Sequence, residues 1–84
     1  MTVNEMNNLV KYNDIFVRVF EAEVEVLNED FRSEDISKWD SVNQMALITE
    51  IEDAFDIMLD IEDMLEFTSY EKGKLILKKY EVEV

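Results

Sequence analysis

Few side chains in this sequence could carry covalent chemistry. Its 84 residues include no cysteine and no histidine. That removes the thiolate nucleophile and the thiolate metal site, and with them the usual general base, proton shuttle and zinc ligand. Hydroxyls and carboxylates remain, and they meet most pointedly at Trp39-Asp40-Ser41-Val42. A serine hydroxyl can be converted to a phosphodiester, which is stable at neutral pH. No nucleophile–base pair can be assembled here, so an enzyme is the least expected class. No base in this chain would activate Ser41. The second constellation is acidic. No lysine or arginine occurs from Trp39 through Glu71, where Glu50, Glu52, Asp53, Asp56, Asp60, Glu62, Asp63 and Glu66 accumulate. Counted from Asp56 as a calcium loop, the third position is Met58 and the sixth is Ile61. An EF-hand needs an oxygen ligand and a glycine there, so no metal site is expected.

The formal charge is −13. Phosphate backbones and anionic membrane surfaces repel such a field, so neither nucleic acid nor a membrane is an expected partner. Basic protein surfaces are attracted to it. No apolar run approaches the roughly 20 residues that span a bilayer. Met1-Thr2-Val3-Asn4-Glu5 lacks the basic and apolar regions of a signal peptide, so the expected location is the cytoplasm. The length fits one domain over 1–84. A chain this short buries about 60–65% of its unfolded surface, so its core is thin. The apolar fraction of 48% nevertheless belongs to a folded protein.

These groups must be positioned by helices. There is no proline and a single glycine, Gly73, too few turn residues for a strand-rich domain. Apolar residues recur at threes and fours. A first helix is expected from about Val3 to Phe20, opened by a Thr2/Glu5 capping box, with Leu9, Tyr12, Phe16 and Val19 on one face. Residues from about Glu21 to Asp40 read as a long loop anchored by Phe31, Ile36 and Trp39. A second helix is expected from near Ser41 to near Asp56, with Val42, Met45, Ile48, Ile51 and Phe55 as its stripe and Leu47 alongside. A short turn of helix follows at Ile61–Leu65. A last helix starts after Thr68, with Glu71 completing a second capping box and Gly73, Ile76, Leu77 and Tyr80 on one face. Glu-Val-Glu-Val occurs at Glu23–Val26 and again at Glu81–Val84. These copies read as a loop and a frayed tail. The expected fold is all-α: a small four-helix bundle of three longer helices and one short one, with the long loop after the first.

The segment Trp39-Asp40-Ser41-Val42, followed by an amphipathic helix ending Glu52-Asp53-Ala54-Phe55-Asp56-Ile57, resembles the modification site of the acyl and peptidyl carrier proteins. A short acidic helix at Asp60–Leu65 and the opening Thr68-Ser69-Tyr70 extend the likeness. It covers about Ile36 to Leu77 and is loose over the first helix. Trp before the Asp-Ser pair is similar to stand-alone carriers of specialised pathways. The resemblance implies an acyl-carrier-like bundle whose Ser41 bears covalent 4'-phosphopantetheine, holding acyl or aminoacyl intermediates as thioesters. The implied partners are a phosphopantetheinyl transferase, an acyl- or aminoacyl-loading ligase and downstream acyl-transfer enzymes, met by a monomeric carrier. Val42 departs from the family's leucine. Asn43, Gln44 and Ala46 stand where many carriers place acids, which points to a dedicated partner set. Gly73 is displaced from the usual family glycine.

Each of these residues also has a plainer role. Ser41-Val42-Asn43-Gln44 is itself a capping box. Asp40 either helps position the serine and magnesium in the transferase complex or is a favourable charge at a helix start. Val42, Met45, Glu50, Asp53 and Asp56 are the expected docking residues, while the remaining acids serve as readily for solvation. Met45, Ile48, Ile51 and Phe55 either line an acyl pocket or form core. Trp39 either packs beside the arm or anchors the loop, and the anchor is the stronger reading. Two rivals to the carrier stand: a carrier-shaped docking module that is never modified, and an acidic decoy of nucleic acid, which rests on charge alone.

Overall fold

A computed structural model describes residues 3–84, with side chains described from Asn7 onward. The expected Thr2/Glu5 box lies outside the described residues. The chain forms four helices in the order α1 (Val3–Phe20), α2 (Ser41–Phe55), α3 (Ile61–Glu66) and α4 (Tyr70–Lys79). A 3-10 turn at Val24–Val26 interrupts the long loop after α1. Among the described residues there is no strand beyond one isolated antiparallel bridge, Arg32 to Ser69. The all-α expectation holds, with α3 one residue longer than read. The radius of gyration, 11.8 Å, is that of a single folded unit of this length, about 12 Å. No helix among the described residues is long and apolar enough to cross a membrane.

Helix starts follow the capping chemistry of short polar side chains, though at residues next to those expected. Asp40 caps α2, its carboxylate accepting from the Asn43 amide at 2.8 Å. Asp60 caps α3 through the Asp63 amide. Ser69, not Thr68, caps α4 through the Lys72 amide. Helix ends are closed without glycine. Glu21, Asp56 and Glu81 adopt left-handed backbone with φ of 51°, 53° and 64°. In each case the next amide reaches back across the turn: Ala22 to Val17 O, Ile57 to Glu52 O and Val82 to Leu77 O. This is the Schellman arrangement, whose following residue packs on the helix it closes. It corrects the reading of the C-terminal tail as frayed, because Val82 is buried.

The core combines a cluster of aromatic rings with aliphatic side chains. Tyr12, Phe16, Phe20, Phe31, Trp39, Phe67 and Tyr70 join Ile15, Leu47, Ile48, Ile51, Leu59, Ile76 and Leu77. In α1, Leu9 and Val19 are half-buried, while Ile15 and Phe20, absent from the expected stripe, are buried. In α2 the stripe is cut short, since Leu47, Ile48 and Ile51 are buried but Val42 and Met45 face outward. On α4, Gly73, Ile76 and Leu77 are buried and Tyr80 is half-buried, as the spacing predicts.

One buried charge ties α3 to α4. Asp63 is 3% exposed and accepts from Lys79 Nζ and Tyr80 Oη, each at 2.6 Å. Tyr80 Oη in turn accepts from the Asp60 amide at 3.1 Å. This corrects the reading of Asp63 as a solvating acid. The Lys79 and Tyr80 hydrogen bonds hold its carboxyl below the ordinary aspartate range. A folded carboxyl that binds its proton less tightly than the unfolded one stabilises fully above the unfolded value, about pH 4, and loses that as pH falls through the folded value. The matching rise of Lys79 and Tyr80 keeps their share intact until pH passes about 10. The expected result is that Asp63→Asn melts below wild type by a constant margin above about pH 5, and that the margin closes below about pH 4. Thermal melts across pH 2.5–8 test this; a margin that persists unchanged at the acid end contradicts it.

Candidate functional site

The first turn of α2 is held from three sides. Trp39 precedes it and is buried, stacked on Phe20 at 4.5 Å and edge-on to Phe16 at 5.8 Å. It therefore anchors the loop to the core. Asn43 Nδ2 donates to Lys38 O at 2.6 Å. Gln44 is half-buried: its Oε1 accepts from Trp39 Nε1, and its Nε2 donates to Met64 O and Phe67 O at 3.1 Å each. The capping box expected of Ser41 and Gln44 is thus not formed. Asp40 does the capping, and Gln44 turns inward to bind the loop and the end of α3.

That substitution of roles leaves Ser41 exposed at the first helical position. Of the four amides that open the helix, Asp40 satisfies two, Asn43 through its side chain and Gln44 through its carbonyl. The amides of Ser41 and Val42 have no partner within the helix, by helix geometry. They and the positive end of the helix dipole favour an anion on the serine oxygen. The chain has no histidine to take the proton of that hydroxyl, and the Asp40 carboxylate beside it is engaged with the Asn43 amide. The arrangement offers an exposed hydroxyl at a helix terminus that favours an anion.

Around Ser41 the expected docking residues divide. Val42 is 76% exposed and Met45 58% exposed, which suits contact with a partner. Asp53 and Asp56 are exposed, Asp56 being the left-handed residue that closes α2. Glu50 is partly spent within the molecule, where Arg18 Nη1 on α1 pairs with it at 3.1 Å while Arg18 Nε holds Asp14. Arg18 is raised from its usual value, first by the Asp14 hydrogen bond and then by Glu50. Of the other acids, Glu52 accepts from the Leu59 amide, and Asp60 and Asp63 hold α3 as described. Four of the eight acids from Glu50 to Glu66 thus have work inside the fold.

Sequence reasoning missed the apolar residues outside α3. Met58 in the connection, and Ile61 and Leu65 on the helix, are 83%, 72% and 74% exposed. The signal was the Ile61/Leu65 pair at i, i+4, but a helix of six residues gives no period from which to tell inside from outside. An acyl pocket on α2 is not formed, because Ile48 and Ile51 are packed in the core. Surface grooves of about 320 Å³ and 240 Å³ lie instead against α4 with the tail (Leu75, Lys78, Val82) and against α1 (Val10, Val17, Val24). Neither includes a residue of α2. No protein-family model matches this chain, and no curated protein or solved structure is significantly similar to it.

Proposed function

We propose that this chain is an acyl carrier whose Ser41 accepts 4'-phosphopantetheine and which catalyses nothing itself. The observation that carries the reading is the exposed Ser41 hydroxyl at the first position of α2, relieved of capping by Asp40. A serine that served only as a cap would be spent on a backbone amide; this one is left to the solvent. Coenzyme A is the donor of the group. Ser41 Oγ forms a bond to phosphorus as the pyrophosphate bond of coenzyme A breaks, with adenosine 3',5'-bisphosphate leaving. The hydroxyl proton goes to a base on the transferase, and magnesium held there offsets the charge. When bound, the group supplies the thiol that the chain lacks, on which acyl or aminoacyl cargo is held as a thioester. The chain's own residues present the hydroxyl, and the Ser41 and Val42 amides at the start of α2 would favour the charge of the attached phosphodiester.

Transferase, loading ligase and downstream acyl-transfer enzymes meet Val42 and Met45 with Asp53, Asp56 and the shared Glu50 beside them. Basic patches on these partners are steered to that side by the −13 charge. The carrier works as a monomer in the cytoplasm, in a fatty acid or secondary metabolite pathway. Incubation with coenzyme A, magnesium and a broad-range phosphopantetheinyl transferase, followed by intact mass, tests the reading. Wild type is expected to gain one phosphopantetheine, and Ser41→Ala none. If several transferases add nothing to wild type, the chain is a docking module that is never modified.

A further inference from the structure

We infer that Gln44 is the positioning residue for modification of Ser41, acting by fixing α3 beside the serine; this rests on the carrier reading above. The amide of Gln44 joins three elements. It takes the indole proton of Trp39 from the loop and gives both of its own protons to Met64 O and Phe67 O, at the end of α3 and just beyond it. Three of the four hydrogen-bonding directions of the side chain are thereby used. Gln44 stands three residues past Ser41, so this junction lies one helical turn behind the nucleophile.

The need for such a junction follows from the size of α3. Six residues do not form a stable helix by themselves, and its exposed Ile61 and Leu65 contribute no packing of their own. Its placement comes from Met64 and Phe67, which are half-buried and buried, and from two polar ties. Asp63 ties α3 to the end of α4. Gln44 fixes its end to α2, within reach of a single side chain of the turn that carries Ser41. An enzyme that grips Ser41 covers Val42 and Met45 on α2, and meets Leu65 and Ile61 where Gln44 has set them. The orientation of α3 is therefore a determinant of how well the serine is recognised, and Gln44 controls it without touching the reacting atoms.

The test uses the full chain, coenzyme A, magnesium and one transferase shown to modify wild type, with steady-state kinetics on the carrier as variable substrate. Gln44→Met keeps the shape and loses all three hydrogen bonds; Gln44→Glu can still accept from Trp39 but cannot donate to either carbonyl. Both are expected to raise KM for the carrier about 10-fold with kcat near wild type, the pattern of lost uniform binding. Leu65→Ser, an exposed change that leaves the fold intact, is expected to raise KM as well, and combining it with Gln44→Met is expected to add little further. Trp39 fluorescence reports the junction, shifting to the red in Gln44→Met and staying near wild type in Leu65→Ser. A role confined to stability would lower the melting temperature of the Gln44 variants and leave KM unchanged well below it, and that result overturns the inference while the carrier reading stands. An unchanged KM in Leu65→Ser overturns it even if the Gln44 variants do not fold. If wild type gains no mass with any transferase, the carrier reading falls and this inference with it.

Discussion

Phe16→Ala is expected to remove a large part of the stability of this protein and, with it, the fixed environment of Trp39. Phe16 is fully buried in α1, and its ring lies 4.9–6.4 Å from those of Tyr12, Phe20, Phe31, Trp39, Phe67 and Tyr70. It therefore joins α1, the long loop and the segment entering α4. Truncating a buried aromatic side chain to alanine costs about 3–5 kcal/mol, because the transfer energy is lost and the cavity collapses only in part. A domain of 84 residues holds about 4–13 kcal/mol in total. The variant is thus expected to melt far below wild type or to be largely unfolded at room temperature. Urea titration followed by near-ultraviolet circular dichroism and Trp39 fluorescence measures it. Val10→Ala, on the exposed side of the same helix, is the control and is expected to fall within about 0.5 kcal/mol of wild type. A loss below about 1 kcal/mol for Phe16→Ala would mean that the six rings do not share one packed core.

The same cluster explains which parts of the molecule could be read from sequence. Helices α1, α2 and α4 have ten or more residues, so their apolar periodicity predicts them, and their limits fall close to those expected. What periodicity could not give was the direction of residues near helix starts. Val42 and Met45 fit the α2 stripe by spacing, yet the helix enters the core only at Leu47. Its first turn is held by polar ties to the loop and to the end of α3 instead of by apolar packing. Cap residues were each placed one position off, late at Ser41, where Asp40 before it makes the bond, and early at Thr68, where Ser69 after it does. Helix ends gave no signal. Glycine usually marks them, and here Glu21, Asp56 and Glu81 take the left-handed position instead.

At the candidate site, legibility was uneven for a related reason. Ser41, Asp40 and the exposed acids are defined by residue type and neighbours in the chain, and local sequence speaks to those. Gln44 ties α3 to α2, and Asp63 ties α3 to the end of α4, through partners 16 to 23 residues away. A glutamine inside an amphipathic helix looks like surface, and an aspartate inside an acidic run looks like its neighbours. Nothing short of the tertiary arrangement separates Asp63, with its lysine and tyrosine, from Glu62 beside it, which is exposed.

Gly73→Ala is the second substitution expected to act strongly, and with a sign opposite to the intrinsic helix scale. Gly73 lies within α4 and has no positive φ, so its backbone does not require glycine. Alanine in a helix interior is favoured over glycine by about 1 kcal/mol where the site is open. This site is not open: a Cβ on Gly73 would overlap Tyr12 Oη and the edge of the Phe67 ring. Neither neighbour can retreat cheaply. Both are fully buried, and Tyr12 Oη is held by a 2.6 Å hydrogen bond to Tyr70 O. Burial, with the nearby Tyr70 and Glu71, pushes the Tyr12 phenol well above its usual range, so it keeps the proton it donates at any ordinary pH. Forcing an extra methyl into such a contact costs about 1–3 kcal/mol, enough to outweigh the gain in propensity. Gly73→Ala is therefore expected to lower the melting temperature. Adding Tyr12→Phe, which deletes the nearest obstructing atom, is expected to cost less in the Gly73→Ala background than in wild type. Phe67 also gives its carbonyl to Gln44, so the crowding at α4 is transmitted toward the turn that carries Ser41. Trp39 fluorescence in the single variant reads that displacement. A Gly73→Ala protein more stable than wild type would show that α4 does not approach α1 and Phe67 this closely.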